Sequence, residues 1–216
     1  VKKLKKHLFP IAKFFFDKYT SKERTYTYEG ITVQIHEEVF PPKFTISTKI
    51  LLAFLKPLDL KGQRVLELGC GSGIISLFAA SKGANVTASD INQTALDLLQ
   101  KASAENNLSL EIVYSDLFQN LADQQFEYII INPPYYPKSP QNDKERAWFC
   151  GVNFEYFEKL FQQLFRFRCS DAVVNIGHVV ALHMRKHPRT MRHTPRFWIS
   201  GAVIQTRDAG GADGGN

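Results

Sequence analysis

From Arg64 onward the chain alternates short apolar runs with helix-forming ones, and several of the short runs end at a chemically marked residue. RVLEL runs into Gly69, NVTAS into Asp90, EIVYS into Asp116 and FEYIII into Asn132. Between them lie IISLFAASK, apolar almost all round and so predicted to be a buried helix, and a segment from about Asn92 with Ala95, Leu98, Leu99 and Ala102 at helical spacing. A further helix is predicted over about residues 154–165. Strands alternating with helices imply a parallel sheet covered on both faces, an α/β Rossmann-like architecture. Ligands on such sheets bind beyond the carboxyl ends of the strands, which is where the marked residues fall.

The segment before Arg64 reads differently. RTYTY and ITVQI alternate around Glu29-Gly30 and predict a β-hairpin. Pro41-Pro42 breaks the chain, and Ser47 or a neighbour is expected to cap a helix through TKILLAFL. Residues 2–19 resemble a signal peptide only superficially, because Lys13 interrupts the apolar stretch and no small-x-small site follows; an amphipathic helix is the better reading. The expected organisation is an extension over residues 1–45, a main domain over 46–165 and an atypical basic tail over 166–216. That tail holds 1 Lys, 7 Arg and no Glu, against 16 Lys, 3 Arg and 11 Glu before it. A rearranged or frame-changed gene end and a divergent C-terminal lobe both account for the shift. Sequencing the gene through Asn216 separates them.

Charge limits the partners. The net +6 is concentrated in the tail, and residues 1–165 balance to +1, which leans away from a large nucleic-acid footprint. The lysines at 2, 3, 5, 6 and 13 remain a possible RNA contact or simply a solvated face. No apolar run reaches the ~18 residues of a membrane span. Three scattered cysteines lack metal-ligand spacing, and among the tail histidines the i,i+4 pair His183 and His187 is followed at once by Pro188 with no acidic ligand near, so no metal is expected, and a reducing, cytoplasmic setting is.

Gly69-Cys70-Gly71-Ser72-Gly73 lies at a strand-to-helix turn, where glycine permits positive φ and close backbone approach to a ligand. The third glycine comes one residue too early for the Gly-x-Gly-x-x-Gly dinucleotide fingerprint. Asp90, 17 residues past Gly73, suits acceptance from both hydroxyls of a ribose; its competing role is an N-cap on the next helix. Asp116 suits acceptance from an adenine amino group, or is a plain loop acid. Two prolines after Asn132 cannot continue a ladder and stiffen the loop, although a strand terminator needs neither that Asn nor Tyr135.

The glycine turn, Asp90 and Asn132-Pro133-Pro134-Tyr135 together resemble the small-domain class I S-adenosylmethionine-dependent methyltransferases over about residues 30–165. That group includes the release-factor glutamine methyltransferases and enzymes acting on adenine or guanine amino groups of nucleic acids. The resemblance implies S-adenosyl-L-methionine as cofactor, held by Glu67, Gly69, Cys70, Gly71, Gly73, Asp90, Ile91, Asp116, Leu117 and Asn132. It also implies Asn132, Pro133 and Tyr135 as the catalytic set and residues 41–48 as pocket wall. The acceptor would be a planar amide or amino nitrogen, on a protein glutamine of release-factor type or on an RNA base. Similar enzymes continue with three further strands after the helix at 154–165; here only residues 172–174, 179–182 and 202–205 are weakly apolar. An incomplete sheet would leave a non-catalytic cofactor- or RNA-binding module.

Overall fold

The computed structural model describes residues 23–39, 41–121 and 124–164, and the backbone of 169–174, 197–199 and 202–204. The predicted first helix and the apolar run at 179–182 lie outside these residues. Strands β1 (Arg24–Tyr28) and β2 (Ile31–Ile35) pair antiparallel with Tyr28 opposite Ile31. Glu29 and Gly30 both take positive φ, 48° and 82°, the two-residue turn whose twist suits a hairpin. One face of β2, Ile31, Val33 and Ile35, is buried in the same core as the helices downstream of it, which ties the hairpin to the main body.

After a 3-10 turn at Pro42–Phe44 come α1 (Ile46–Leu55), β3 (Arg64–Leu68), α2 (Ile74–Ser81), β4 (Asn85–Asp90), α3 (Gln93–Glu105) and β5 (Glu111–Tyr114). Then come β6 (Phe126–Ile131), α4 (Asp143–Arg146), α5 (Glu155–Leu164), β7 (Cys169–Val174) and a separate hairpin of β8 (Phe197–Ile199) and β9 (Ala202–Ile204). The sheet order is β5-β4-β3-β6-β7, parallel throughout. The tail therefore supplies at least one further sheet strand, pairing Ile131 with Val174.

Strand alternation sorts the core into two layers. Val65 and Ile130 face a cluster that includes Leu51, Leu52 and Leu55 of α1, Leu77 of α2 and Leu99 of α3. Leu66, Leu68, Ile129 and Ile131 face the other, with Phe118 and with Leu160 and Leu164 of α5. The chain builds β3, β4 and β5 outward in one direction, then crosses back to lay β6 on the other side of β3. This reversal is a topological switch point, where loops diverge and leave a crevice. Leu68 is in register with Ile131 and with Ser89, and Asp90 with Tyr114. The next residues along each strand, Gly69, Asn132 and Ser115, therefore emerge level with Asp90 at one edge.

One capping expectation is corrected, and the competing cap role of Asp90 is decided against. The N-cap of α1 is Thr45, and Ser47 lies inside the helix; the Thr45 hydroxyl engages Pro42 O and Thr48 Oγ1 and caps no amide. The N-cap of α3 is Asn92, whose Oδ1 accepts from the Thr94 and Ala95 amides, so Asp90 does not cap it. The predicted helix at 154–165 begins one residue late, because Phe154 sits at φ 62°, outside the helical region.

Gly73 is held by packing. It sits at φ 70°, and a Cβ there would lie 2.3 Å from Cδ1 of the fully buried Leu99. Gly73→Ala should lower unfolding stability by ~2–4 kcal/mol, combining left-handed strain with overpacking. Gly69→Ala, with no heavy atom within 4 Å of the new Cβ, should cost only the strain, about 1 kcal/mol. Urea titration of both variants checks the order.

Candidate active site

A cavity of about 370 Å³ opens at the switch point. Of the residues expected to hold the cofactor or acceptor, Glu67, Gly69, Cys70, Gly71, Asp90, Ile91, Asp116, Leu117, Asn132 and Pro133 line it. Gly73 and Tyr135 are not among the lining residues.

The glycine turn is fixed by its neighbour strand. The Gly69 and Cys70 amides donate to Ser89 O at 2.8 and 2.9 Å, and Gly73 N donates to Cys70 O at 2.8 Å. Gly69 and Gly71 take φ of 75° and 50°. A Cβ on Gly71 would meet only Val39 Cγ1, at 4.0 Å. At these two positions the missing side chains keep space open, whereas at Gly73 the missing side chain is replaced by Leu99.

Asp90 ends β4 with its carboxylate gripped from two sides. Gly71 N donates to Oδ2 at 2.8 Å and Asn92 N to Oδ1 at 2.9 Å. Burial raises its pKa, and the amides of Asn92, Gly71 and Ile91 pull it back down. These amides do not exhaust the acceptor capacity of the carboxylate. Glu67, 3 % exposed, accepts from Ser76 N at 2.8 Å and from the Ser76 hydroxyl. Desolvation dominates there and pushes its carboxyl up to about 8, so at neutral pH it is largely protonated. Burial, with Asp90 and Glu67 nearby, likewise raises the Cys70 thiol and keeps it un-ionised.

Asp116 begins a tight turn after β5. Leu117 is held at φ 54°, a strained setting for a branched side chain, and lies buried against the cavity. Ser115 Oγ donates to Leu117 O at 2.7 Å and accepts from Asn120 N at 3.0 Å, and Phe118 N donates to Gln163 Oε1 at 3.0 Å. Lys159 Nζ, one helical turn before Gln163, donates to Asp116 Oδ2. Helix α5 thus clamps this turn, and Glu155, Tyr156 and Lys159 all line the cavity.

After Asn132-Pro133-Pro134 the chain folds back over the crevice. Tyr136 bridges Phe149, with Tyr136 N on Trp148 O and Cys150 N on Tyr136 O, both at 3.0 Å. Between these strands of the loop lies α4, whose N-cap Asn142 accepts from Glu145 N at 2.9 Å. Glu145 also binds Lys138 at 2.9 Å, and Lys144 reaches Glu37 at 3.1 Å, joining the loop to the segment after β2. Pro140, Asp143, Arg146, Phe149 and Gly151 line the cavity from this cover. Tyr135 packs on Tyr136 with centroids 4.6 Å apart, and burial pushes its hydroxyl up to about 12. Its position outside the lining makes it a support of the loop in this arrangement.

Sequence reading missed the cover and the α5 face. Asn142-x-x-Glu145, a capping-box pattern, was the available signal for α4. Of the segment 41–48 expected as wall, Thr48 reaches the cavity, joined by Glu38 and Val39 just before it.

Glu67 carries a pH prediction. Its pKa is higher in the fold than the ordinary 4.5, so its stabilising contribution is complete below about 4.5 and is lost as pH rises toward 8. Glu67→Gln should flatten that decline and be the more stable form above pH 8, while Asp90, shifted the same way, keeps a residual slope. Melting temperatures from pH 5 to 9 measure it; an unchanged slope would exclude a buried neutral Glu67.

Comparison with known proteins agrees with this geometry. The chain matches the methyltransferase small domain family over residues 30–148. It is 38% identical over 112 residues to a proposed protein N5-glutamine methyltransferase of Methanocaldococcus jannaschii, covering 51% of this chain and 54% of that one. It is also 38% identical over 122 residues to a tRNA1(Val) (adenine(37)-N6)-methyltransferase of Shewanella halifaxensis, covering 53% and 49%. The chain thus spans about half the length of these curated relatives. Among solved structures, a methyltransferase from Pyrococcus furiosus shares the fold with a TM-score of 0.51 at 21% identity, covering 76% of this chain and 77% of that one. A match over more than half its length, with the parallel sheet and its switch-point cavity, places this chain in the methyltransferase small domain family.

Proposed function

We propose that the chain is an S-adenosylmethionine-dependent N-methyltransferase acting on a planar amide or amino nitrogen, with a protein glutamine side chain as the favoured acceptor. The observation that carries this reading is one cavity lined both by the glycine turn with Asp90 and by Asn132 with Pro133. S-adenosylmethionine, when bound, supplies an electrophilic methyl group on a sulfonium. The lining suits such a group. It offers Glu38, Asp90, Asp116, Asp143 and Glu155, beside the largely protonated Glu67, against Arg146 and Lys159, an acidic setting for a ligand of net positive charge. The spare lone pairs of Asp90 suit ribose hydroxyls, and Ile91 and Leu117 offer apolar walls for a purine.

The acceptor side follows from the same residues. An amide or aromatic amino nitrogen is a weak nucleophile because its lone pair is delocalised. The Asn132 side-chain oxygen and the Pro133 carbonyl can accept from the two N–H groups, which concentrates electron density on nitrogen and directs the lone pair. Those acceptors bind more strongly as nitrogen gains positive charge, so they favour the transition state over the ground state. Approach to ~3–3.5 Å is then a matter of positioning by the stiff prolines. No strong base is needed, because the N–H becomes acidic once the methyl is transferred.

The relative named for protein N5-glutamine methylation favours a glutamine. The relative named for adenine-N6 methylation of tRNA supports a second reading, an RNA base amino group, with the base splayed from its stack. The acidic Asp143 and Glu155 beside the cavity weigh against a phosphate backbone there.

Asn132→Ala should lower turnover by at least a hundredfold, about 2.7 kcal/mol or more of transition-state stabilisation, while S-adenosylhomocysteine affinity stays within twofold. Asp90→Ala should weaken that affinity by ~10–100-fold, the loss expected for charge-assisted hydrogen bonds. Calorimetry and a labelled-methyl assay separate the two effects. Incubation with labelled cofactor and cell extract identifies the acceptor: label lost to protease supports glutamine, label lost to ribonuclease supports the RNA base, and no label at all would refute an active transferase.

A further inference from the structure

Helix α5 presents Glu155, Tyr156 and Lys159 to the cavity, and the sequence gives no reason to expect a helix so far downstream to do so. Lys159 is the informative member. Its ammonium lies on Asp116 Oδ2, and both side chains keep more than a third of their surface exposed, 37% and 39%. An ion pair so accessible contributes little to stability by itself. The turn that carries Asp116 is also fixed independently of Lys159, by Ser115 Oγ on Leu117 O and by Gln163 on the Phe118 amide. A lysine serving only to anchor α5 would duplicate Gln163 one turn away. What Lys159 adds is a hydrogen-bond donor beside an acceptor, both lining the cavity that Ile91 and Leu117 also line.

We propose that Lys159 is a specificity-determining residue for the cofactor's purine, donating to a ring nitrogen next to the amino group while Asp116 accepts from that amino group. Adenine presents this alternation of donor and acceptor along the edges that carry its amino group. A carboxylate alone selects for the amino group; the carboxylate–ammonium pair also selects for the adjacent lone pair. Because the ammonium bears three N–H groups, it can hold Asp116 and the purine at once. The shared bond keeps the Asp116 carboxylate aimed when the purine arrives. This inference rests on the cofactor reading above.

The test is a binding cycle on the full chain, by calorimetry, with S-adenosylhomocysteine and its 1-deaza and 7-deaza analogues, each of which lacks one ring nitrogen flanking the amino group. The protein as it stands should bind one of the two analogues about tenfold more weakly than the parent. In Lys159→Met that penalty should vanish, with parent affinity itself about tenfold lower, and in Lys159→Arg, which retains a donor, it should persist. Melting curves verify that each variant is folded, and Lys159→Leu, which also lacks a donor, replaces Met should Met fail. Penalties that are equal in Lys159→Met and in the unaltered chain, or absent from both, would overturn the proposal and leave Lys159 as a tie between helix and turn. Failure of the unaltered chain to bind S-adenosylhomocysteine at all would instead remove the cofactor reading, and this proposal with it.

Discussion

The Asp90 carboxylate, held between the amides of Gly71 and Asn92, is the point on which the site geometry converges. One oxygen fixes the glycine turn after β3 and the other fixes the entry to α3. The same strand supplies Ser89 O to the Gly69 and Cys70 amides. Two loops that could move independently are thereby set by a single strand end. The parallel register does the rest, because Leu68, Ser89 and Ile131 lie side by side and their successors in the chain must emerge at the same level. Site precision here comes from the sheet and is passed outward by backbone hydrogen bonds.

Much of this was legible in the sequence because local chemistry and tertiary role coincide. The strands read as short apolar runs, as strands covered on both faces must, and Asp90 and Asn132 stand at the strand ends that these runs mark. The glycines were less transparent. Residues 69, 71 and 73 look equivalent in the sequence, and all three take positive φ, yet Gly73 owes its identity to Leu99, 26 residues further on. No local pattern reveals a contact of that kind. The capping residues misled for a related reason: several hydroxyl and carboxamide side chains compete for one helix start, and tertiary partners decide among them. Asp90 is taken by Gly71 and leaves the cap of α3 to Asn92.

The cover loop and the α5 face were not legible because their contribution depends on how the chain returns after Asn132. Residues 136–138 pair with 148–151 across a short helix, an arrangement with few hydrophobic signals and many polar bonds, among them Lys138–Glu145 and Lys144–Glu37. Surface ion pairs of this sort contribute little each. The cover is therefore held mainly by the backbone bridge at Tyr136 and Phe149, and among the described residues the exposed Lys144–Glu37 pair joins it to the segment after β2. Few buried apolar contacts and exposed hydrogen bonds put it toward the low-stability end of the fold, where elements that must admit a ligand belong.

Charge explains why such a site can be both costly and selective. Arg146 pairs with Asp143 and Lys159 with Asp116, whereas Glu67 and Asp90 are held by amides and a hydroxyl. Amides orient a carboxylate without cancelling its charge, so burial raises both groups' affinity for a proton. A cavity in that condition gains most from a cationic ligand, which relieves the same desolvation penalty that protonation relieves. Ligand and proton therefore compete for Glu67, and binding of a cation should release protons and stabilise the fold together. The same argument gives the site a direction. Were the ligand the proposed S-adenosylmethionine, loss of its methyl group would carry the positive charge away, the carboxylates would lose part of what they were stabilising, and the neutral product would be held less firmly than the charged ligand it replaces.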